Sequence, residues 1–167
     1  MNIGRCPVCC PVLDFDMYKR ILIPTDGSEY TKVATMHGLE MAKLTGAKVT
    51  ALFVIDDDVY MNKSWGPSLP MTVSDLTPAL EDEGKKAVDL IHSEGEKIGV
   101  KVTTRIESGS PAKIIIQDSK NFDMVVMGTL GRSGISKLVL GSVAGKVIGS
   151  AECPVLVVRN NKMHDQS

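Results

Sequence analysis

Short, continuous apolar runs alternate along this chain with longer stretches of helical period. Ile21, Leu22 and Ile23 make the first run, and Lys19 to Pro24 is predicted as the first strand. Consecutive apolar residues suit a strand buried on both faces, as in a parallel sheet. Pro24-Thr25-Asp26-Gly27-Ser28 is loop-like by composition. Ser28 can cap a helix, and Glu29 suits its positive end. That helix should run to about Leu44, with Ala34, Gly38 and Ala42 forming a small-residue stripe for close packing on a sheet. Gly46 can end it in the left-handed conformation. A second strand follows from Ala47 to Val54.

The second half repeats the alternation. Thr77-Pro78 reads as an N-cap followed by proline at the first helical position, opening a helix that ends near Ile98 and Gly99. From Val100 to Glu107, Val102, Thr104 and Ile106 alternate with Lys101, Thr103, Arg105 and Glu107, which predicts a half-exposed strand near an edge with the first set inward. Ser110-Pro111 starts a third helix with Ile115 and Ile116 inward. Met124 to Met127 is the fourth strand, Ser142 to about Ser150 the last helix, and Pro154 to Val158 the fifth strand. Five alternations of strand and helix predict an α/β fold: a parallel sheet with helices on both faces.

Three stretches break the pattern. Residues 1–17 hold Gly4, Pro7 and Pro11, show no amphipathic period, and read as a poorly ordered tail. Residues 160–167 are polar and tail-like. The loop at 56–76 carries Asp56-Asp57-Asp58 and Trp65-Gly66-Pro67, is longer than most connections, and lacks the ligand spacing of an EF-hand.

Composition narrows the function. The 167 residues are 43% hydrophobic and 23% charged with a net charge of −1, so no basic footprint points to nucleic acid or membrane. No run approaches the ~20 apolar residues of a membrane span, and the start lacks a signal-peptide core, so a cytoplasmic location is expected. Cys6, Cys9 and Cys10 form C-P-V-C-C, which reads as tail thiols, with a metal or redox role as the alternative. Cys153 reads as a core residue of the fifth strand. His37, His92 and His164 read as surface or helix-packing residues.

One stretch carries candidate chemistry. After the fourth strand comes Gly128-Thr129-Leu130-Gly131-Arg132, then Gly141-Ser142-Val143 at the start of the last helix. Glycines let a ligand approach the backbone, Ser142 is a favoured N-cap, and a helix N-terminus presents unpaired N–H groups to an anion. The spacing excludes a G-x-G-x-x-G fingerprint. Gly145-Lys146 is followed by Val147, not Ser or Thr, which excludes a Walker A loop.

The pattern G-x2-G-x9-G-S, with Ile21 to Asp26, Gly109-Ser110-Pro111 and Cys153 to Val158, resembles the universal stress proteins, specifically their ATP-binding branch. The resemblance covers residues 18–159. It implies a doubly wound, Rossmann-like fold of the adenine nucleotide alpha hydrolase-like type, with strand order 3-2-1-4-5. In such sheets ligands bind beyond the carboxyl ends of the strands at the switch in order, here between strands one and four. The resemblance further implies ATP, with Mg²⁺, as ligand. Adenine would lie near Asp26 and Val54, and the ribose near the backbone of Pro24 and Gly128, with Thr25 and Met127 also counted among the nucleotide-binding residues. The phosphates would meet Gly131, Arg132, Gly141, Ser142 and Val143. Asp26 suits a ribose hydroxyl or an adenine amine equally. A homodimer through Pro154 to Val158 is implied as well, covering an apolar edge strand.

Three functions remain open from the sequence: a nucleotide-dependent switch in stress response or signalling, a slow or partner-activated ATPase or phosphotransferase, and an interaction module without nucleotide. The intact glycine motif disfavours the third. Phosphoryl transfer needs a base or a positioned water, and no catalytic residue is identified beside the glycines.

Overall fold

A computed structural model describes residues 17–56, 73–130 and 140–159, without the side chains of residues 73–77. The two tails, the loop at 57–72, Gly131 and Arg132 lie outside the described residues. The described elements run β1 (Arg20–Thr25), α1 (Glu29–Thr45), β2 (Lys48–Ile55), α2 (Val73–Lys97), β3 (Val102–Ser108), α3 (Pro111–Ser119), β4 (Met124–Gly128), α4 (Ser142–Ser150) and β5 (Val155–Val158). All five strands are parallel, in the order β3-β2-β1-β4-β5. The expected fold class and strand order are therefore found.

The apolar runs do what their composition predicts. Ile21, Leu22 and Ile23 are fully buried, as are Val125 and Val126 of β4. Alternation along β1, β2 and β4 feeds two cores. Ile23, Val49, Phe53 and Val126 join the core that α1 and α2 cover, with Leu39, Ala42, Val88 and Ile91. Leu22, Leu52, Val125 and Met127 join the opposite core, with Ile115 of α3 and Val147 of α4. The small-residue stripe on α1 is buried at Ala34, Gly38 and Ala42. A Cβ on Gly38 would lie 2.5 Å from Ile23 Cδ1, so only glycine lets α1 sit this low on the sheet. Gly46 ends α1 with φ +69°, as expected.

Four local expectations are corrected. Pro78 lies inside α2, which starts at Val73 and not after Thr77. The proline forgoes one backbone hydrogen bond there, while Val73, Leu76 and Leu80 carry the helical spacing back across it. Along β3 the alternation inverts after Val102: Ile106 is exposed, whereas Arg105 and Glu107 are half-buried. An ion-pair cluster holds that face, with Arg105 donating to Asp118 of α3 at 2.9 Å and to Glu107. Ser142 is the first residue of α4, not its cap; Gly141 takes the N-cap position. Cys153 is half-buried in the bend before β5, which starts at Val155, so it is not a core strand residue. Desolvation pushes its thiol pKa up, making it a poor nucleophile.

Candidate functional site

The two central strands behave differently along their length. β1 pairs with β2 through six successive residues, Arg20 to Thr25. Its pairing with β4 covers only Ile21–Met124 and Leu22–Val125. From Ile23 onward β1 is laddered on the β2 side alone, while Ile23, Pro24 and the whole of β4 stay buried. A proline has no N–H to donate to a ladder, and Pro24 is the residue of β1 that follows Ile23. The switch in strand order lies at the same place, where α/β sheets hold their ligands.

The loop after β1 is built by short hydrogen bonds. Ser28 N–H donates to Asp26 Oδ1 at 3.0 Å, and Gly27 N–H donates to Thr25 Oγ1 at 3.1 Å. Thr31 Oγ1 donates to the Ser28 carbonyl at 2.9 Å and approaches Asp26 Oδ1 at 3.4 Å. A hydroxyl has one proton, so Thr25 is the donor in its 3.0 Å contact with Thr31. Asp26 therefore carries a structural duty: one carboxylate oxygen organises the turn into α1. Gly27 has φ +77°, the left-handed value that lets this turn close. Thr31 was not anticipated as a site residue; its spacing of three from Ser28 is the signal that could have found it. Ser28 precedes α1 as expected, yet its hydroxyl makes no cap bond. Its Oγ is shielded from solvent without a hydrogen-bond partner among the described residues.

The second half of the site comes from β4 and α4. Gly128 ends β4 against the first turn of α1, where a Cβ would lie 3.3 Å from the Tyr30 carbonyl and 3.7 Å from Thr31 Cγ2. Stretches about a hundred residues apart thus meet at one place. Gly141 N–H donates to the Thr129 carbonyl at 2.8 Å, which fastens the start of α4 to the end of β4. A Cβ on Gly141 would sit 3.0 Å from that carbonyl. Neither glycine has a positive φ; both are required by close backbone approach within the protein.

The first intrahelical bond of α4 runs from Gly145 N to Gly141 O. The N–H groups of Ser142, Val143 and Ala144 precede it and have no helical acceptor. Ser142 is exposed and Val143 half-buried, so this end opens to solvent. The structure therefore brings Pro24, Thr25, Asp26, Met127 and Gly128 to one end of the sheet, with Gly141, Ser142 and Val143 tied to it. Val54 stands half-buried one strand away, near the end of β2. Gly131 and Arg132 fall outside the described residues. Among the described residues no group of three or more His, Cys, Asp or Glu side chains could hold a metal ion.

Known proteins share this architecture. The sequence profile of the universal stress protein family matches residues 17–159. The chain belongs to the universal stress protein family. The universal stress protein MJ0531 of Methanocaldococcus jannaschii is 38% identical over 149 residues, covering 88% of this chain and 85% of its own. The structure of MJ0577, from the same organism, superimposes with a TM-score of 0.71 at 32% identity, over 87% of this chain and 98% of its own. A universal stress protein family member from Arabidopsis thaliana, solved with AMP bound, matches with a TM-score of 0.62 over 89% of this chain and 97% of its own. At 19% identity that last likeness speaks for the fold alone. This universal stress protein sets its sheet-end loops around a switch in strand order. None of its described helices is long and apolar enough to cross a membrane.

Proposed function

We propose that this universal stress protein binds an adenine nucleotide, ATP with Mg²⁺, in the crevice between the carboxyl ends of β1 and β4, and acts as a nucleotide-dependent switch. The observation that carries the reading is the meeting of the loop after β1 with the end of β4, to which the start of α4 is tied at Gly141. Fold neighbours have been solved with AMP, cAMP and dAMP, which supports an adenine nucleotide as the ligand class.

Each residue has a task in this reading. Asp26 holds its turn through Oδ1 and brings carboxylate charge beside a ribose hydroxyl or an adenine amine. Val54 supplies apolar surface, and Met127, buried in the core beside Val125, carries the end of β4. The backbone of Pro24, Thr25 and Gly128 borders the ribose. The amides of Ser142 and Val143, with the positive end of α4, meet the phosphates, and Gly131 and Arg132 complete the phosphate loop. Mg²⁺ arrives with the triphosphate, since the protein offers no carboxylate cage among the described residues. The described residues around the crevice include no histidine and no base tied to the glycine loop, which favours binding and signalling over rapid turnover.

The switch would act as a homodimer. β5 is the last strand of the sheet, and Leu156 on it is 36% exposed while Ile148 on α4 is 47% exposed. Pairing across a two-fold axis would cover both. Light scattering at micromolar concentration should give the dimer mass, and a monomer mass would overturn the pairing. Nucleotide released from the purified protein, identified by mass and absorbance, tests the ligand. Adenine nucleotide is expected; protein that neither carries one nor binds Mg-ATP in calorimetry would overturn the reading.

A further inference from the structure

β3 is the edge strand at the other side of the sheet from β5. Val102–Ser108 pair with β2 residue for residue, without a bulge. The Lys101 carbonyl accepts from Val49 N–H at 2.9 Å, and Gly109 N–H donates to the Ile55 carbonyl at 2.9 Å. The ladder groups of one strand residue point to the same side, so Lys101, Thr103, Arg105, Glu107 and Gly109 are the residues turned toward β2. The N–H and C=O groups of Val102, Thr104, Ile106 and Ser108 point outward, and no partner meets them among the described residues. Such an edge is a template for another strand, which proteins often blunt with proline, a bulge or a covering element. β3 holds no proline. Thr103 and Thr104 face opposite sides of the sheet and both are exposed, so neither α2 nor α3 overhangs the middle of the strand.

The side chains select the strand that fits. On the α3 face, Arg105 pairs with both Glu107 and Asp118, so this cluster has two carboxylates for one guanidinium. Lys101 is exposed just before β3 and has no ion-pair partner among the described residues. On the other face Ile106 is 37% exposed. A second copy of β3 can be laid antiparallel on the first about a two-fold axis. An axis at Thr103 sets Lys101 against Arg105, and an axis at Arg105 sets that guanidinium against itself; like charges directly opposite are destabilising. An axis at Thr104 sets Lys101 opposite Glu107, Val102 opposite Ile106, and Thr103 opposite Arg105.

We propose that two copies of this chain join their β3 edges antiparallel about a two-fold axis at Thr104, with Lys101 of each copy meeting the Arg105–Glu107–Asp118 cluster of the other. The outward groups of Val102, Thr104 and Ile106 then make about six main-chain hydrogen bonds. Val102 with Ile106 is the apolar pair that supports the contact, so the contact is weak and forms well above the micromolar concentrations at which the β5 dimer is expected. It shares no residue with β5 or with the nucleotide site, and it stands apart from both readings.

Thiol cross-linking reads the register. In the full chain carrying Cys6→Ser, Cys9→Ser, Cys10→Ser and Cys153→Ser, a short bismaleimide is applied at high protein concentration to Thr104→Cys and to Ile106→Cys. The two copies of position 104 face each other at about 5.5 Å between Cα atoms, whereas the two copies of position 106 stand about 14 Å apart. Normalised to labelling by a monofunctional maleimide, Thr104→Cys should give the two-chain product about tenfold faster, because only that pair is held at close range. Adding Lys101→Glu, which sets like charge against the cluster, should slow the product severalfold, with thermal melts confirming that each variant is folded. Equal normalised rates at the two positions, a faster rate at Ile106→Cys, or indifference to Lys101→Glu would overturn the contact. Thr104→Pro supplies a second reading, since it removes an outward N–H and leaves the β2 ladder intact. Light scattering of the unaltered chain should show its mass rising above the micromolar value as concentration increases, and Thr104→Pro should abolish the rise. A mass that stays constant in the unaltered chain, or rises equally in Thr104→Pro, would also overturn it.

Discussion

The amino and carboxyl ends of the β1–β4 pair are opposites. At the amino end the strands are locked. Asp123, just before β4, accepts from the N–H groups of Lys19 and Arg20 at 3.0 and 2.9 Å. Its other oxygen accepts from the Arg20 guanidinium at 2.8 Å. At the carboxyl end the ladder stops after Leu22 and Val125, and the end of β4 meets the first turn of α1. A carboxylate sits at each end. Asp123 ties two strands together, while Asp26 holds the turn into α1.

The largest effect should come from the carboxyl end. If the proposed phosphate loop is right, Gly131→Val puts a branched side chain into it, and Mg-ATP affinity should fall more than a hundredfold, ~3 kcal/mol. Unchanged affinity in a folded variant, read by calorimetry, would break the assignment of that loop. Gly38→Ala strikes the packing beneath both strands, since the new Cβ would crowd Ile23 and lie 3.4 Å from Val126 Cβ. It should cost roughly 1–3 kcal/mol in denaturant melts.

The amino end should respond to pH. The Arg20 hydrogen bond holds the Asp123 carboxyl below its usual value, helped by the Lys19 and Arg20 amides against the opposing effect of burial. A carboxyl with a depressed folded pKa stabilises the fold above its unfolded pKa, about 3.9. That stability drains away as pH falls from there through the folded value. Asp123→Ala should therefore cost about 1–2 kcal/mol at neutral pH, and the difference from wild type should shrink in melts carried well below pH 4. A constant difference down to that range would show that the charge contributes nothing. Smallest of all, Gly46→Ala should cost about 1 kcal/mol through its left-handed φ and leave nucleotide affinity untouched.

Much of this contrast could be read from the residues. Buried strands announce themselves as apolar runs, and Ile21 to Ile23 and Met124 to Met127 lie where those runs predict. The α1 stripe and the glycine at its end were equally plain, because one physical requirement fixes each. The errors arise where two requirements compete. Ile106 points outward because Arg105 and Glu107 satisfy each other and Asp118 on the face that apolar spacing would have given to solvent. Gly141, needed for its approach to Thr129, takes the cap position that composition gives to Ser142. The role of Thr31 depends on Thr25 and Asp26 folding back over it, a contact that no linear pattern displays.

The central claim is that the two ends answer separately, and calorimetric titration of Mg-ATP onto Asp26→Asn and Asp123→Ala tests it most directly. Asparagine can keep the turn that Asp26 makes, so Asp26→Asn removes charge and leaves the loop. Its affinity should fall about tenfold, near 1.4 kcal/mol, with wild-type melting. Asp123→Ala should melt earlier and, below its melting range, bind Mg-ATP as wild type does. Equal loss of affinity in the two variants, or wild-type affinity in Asp26→Asn, would contradict the account.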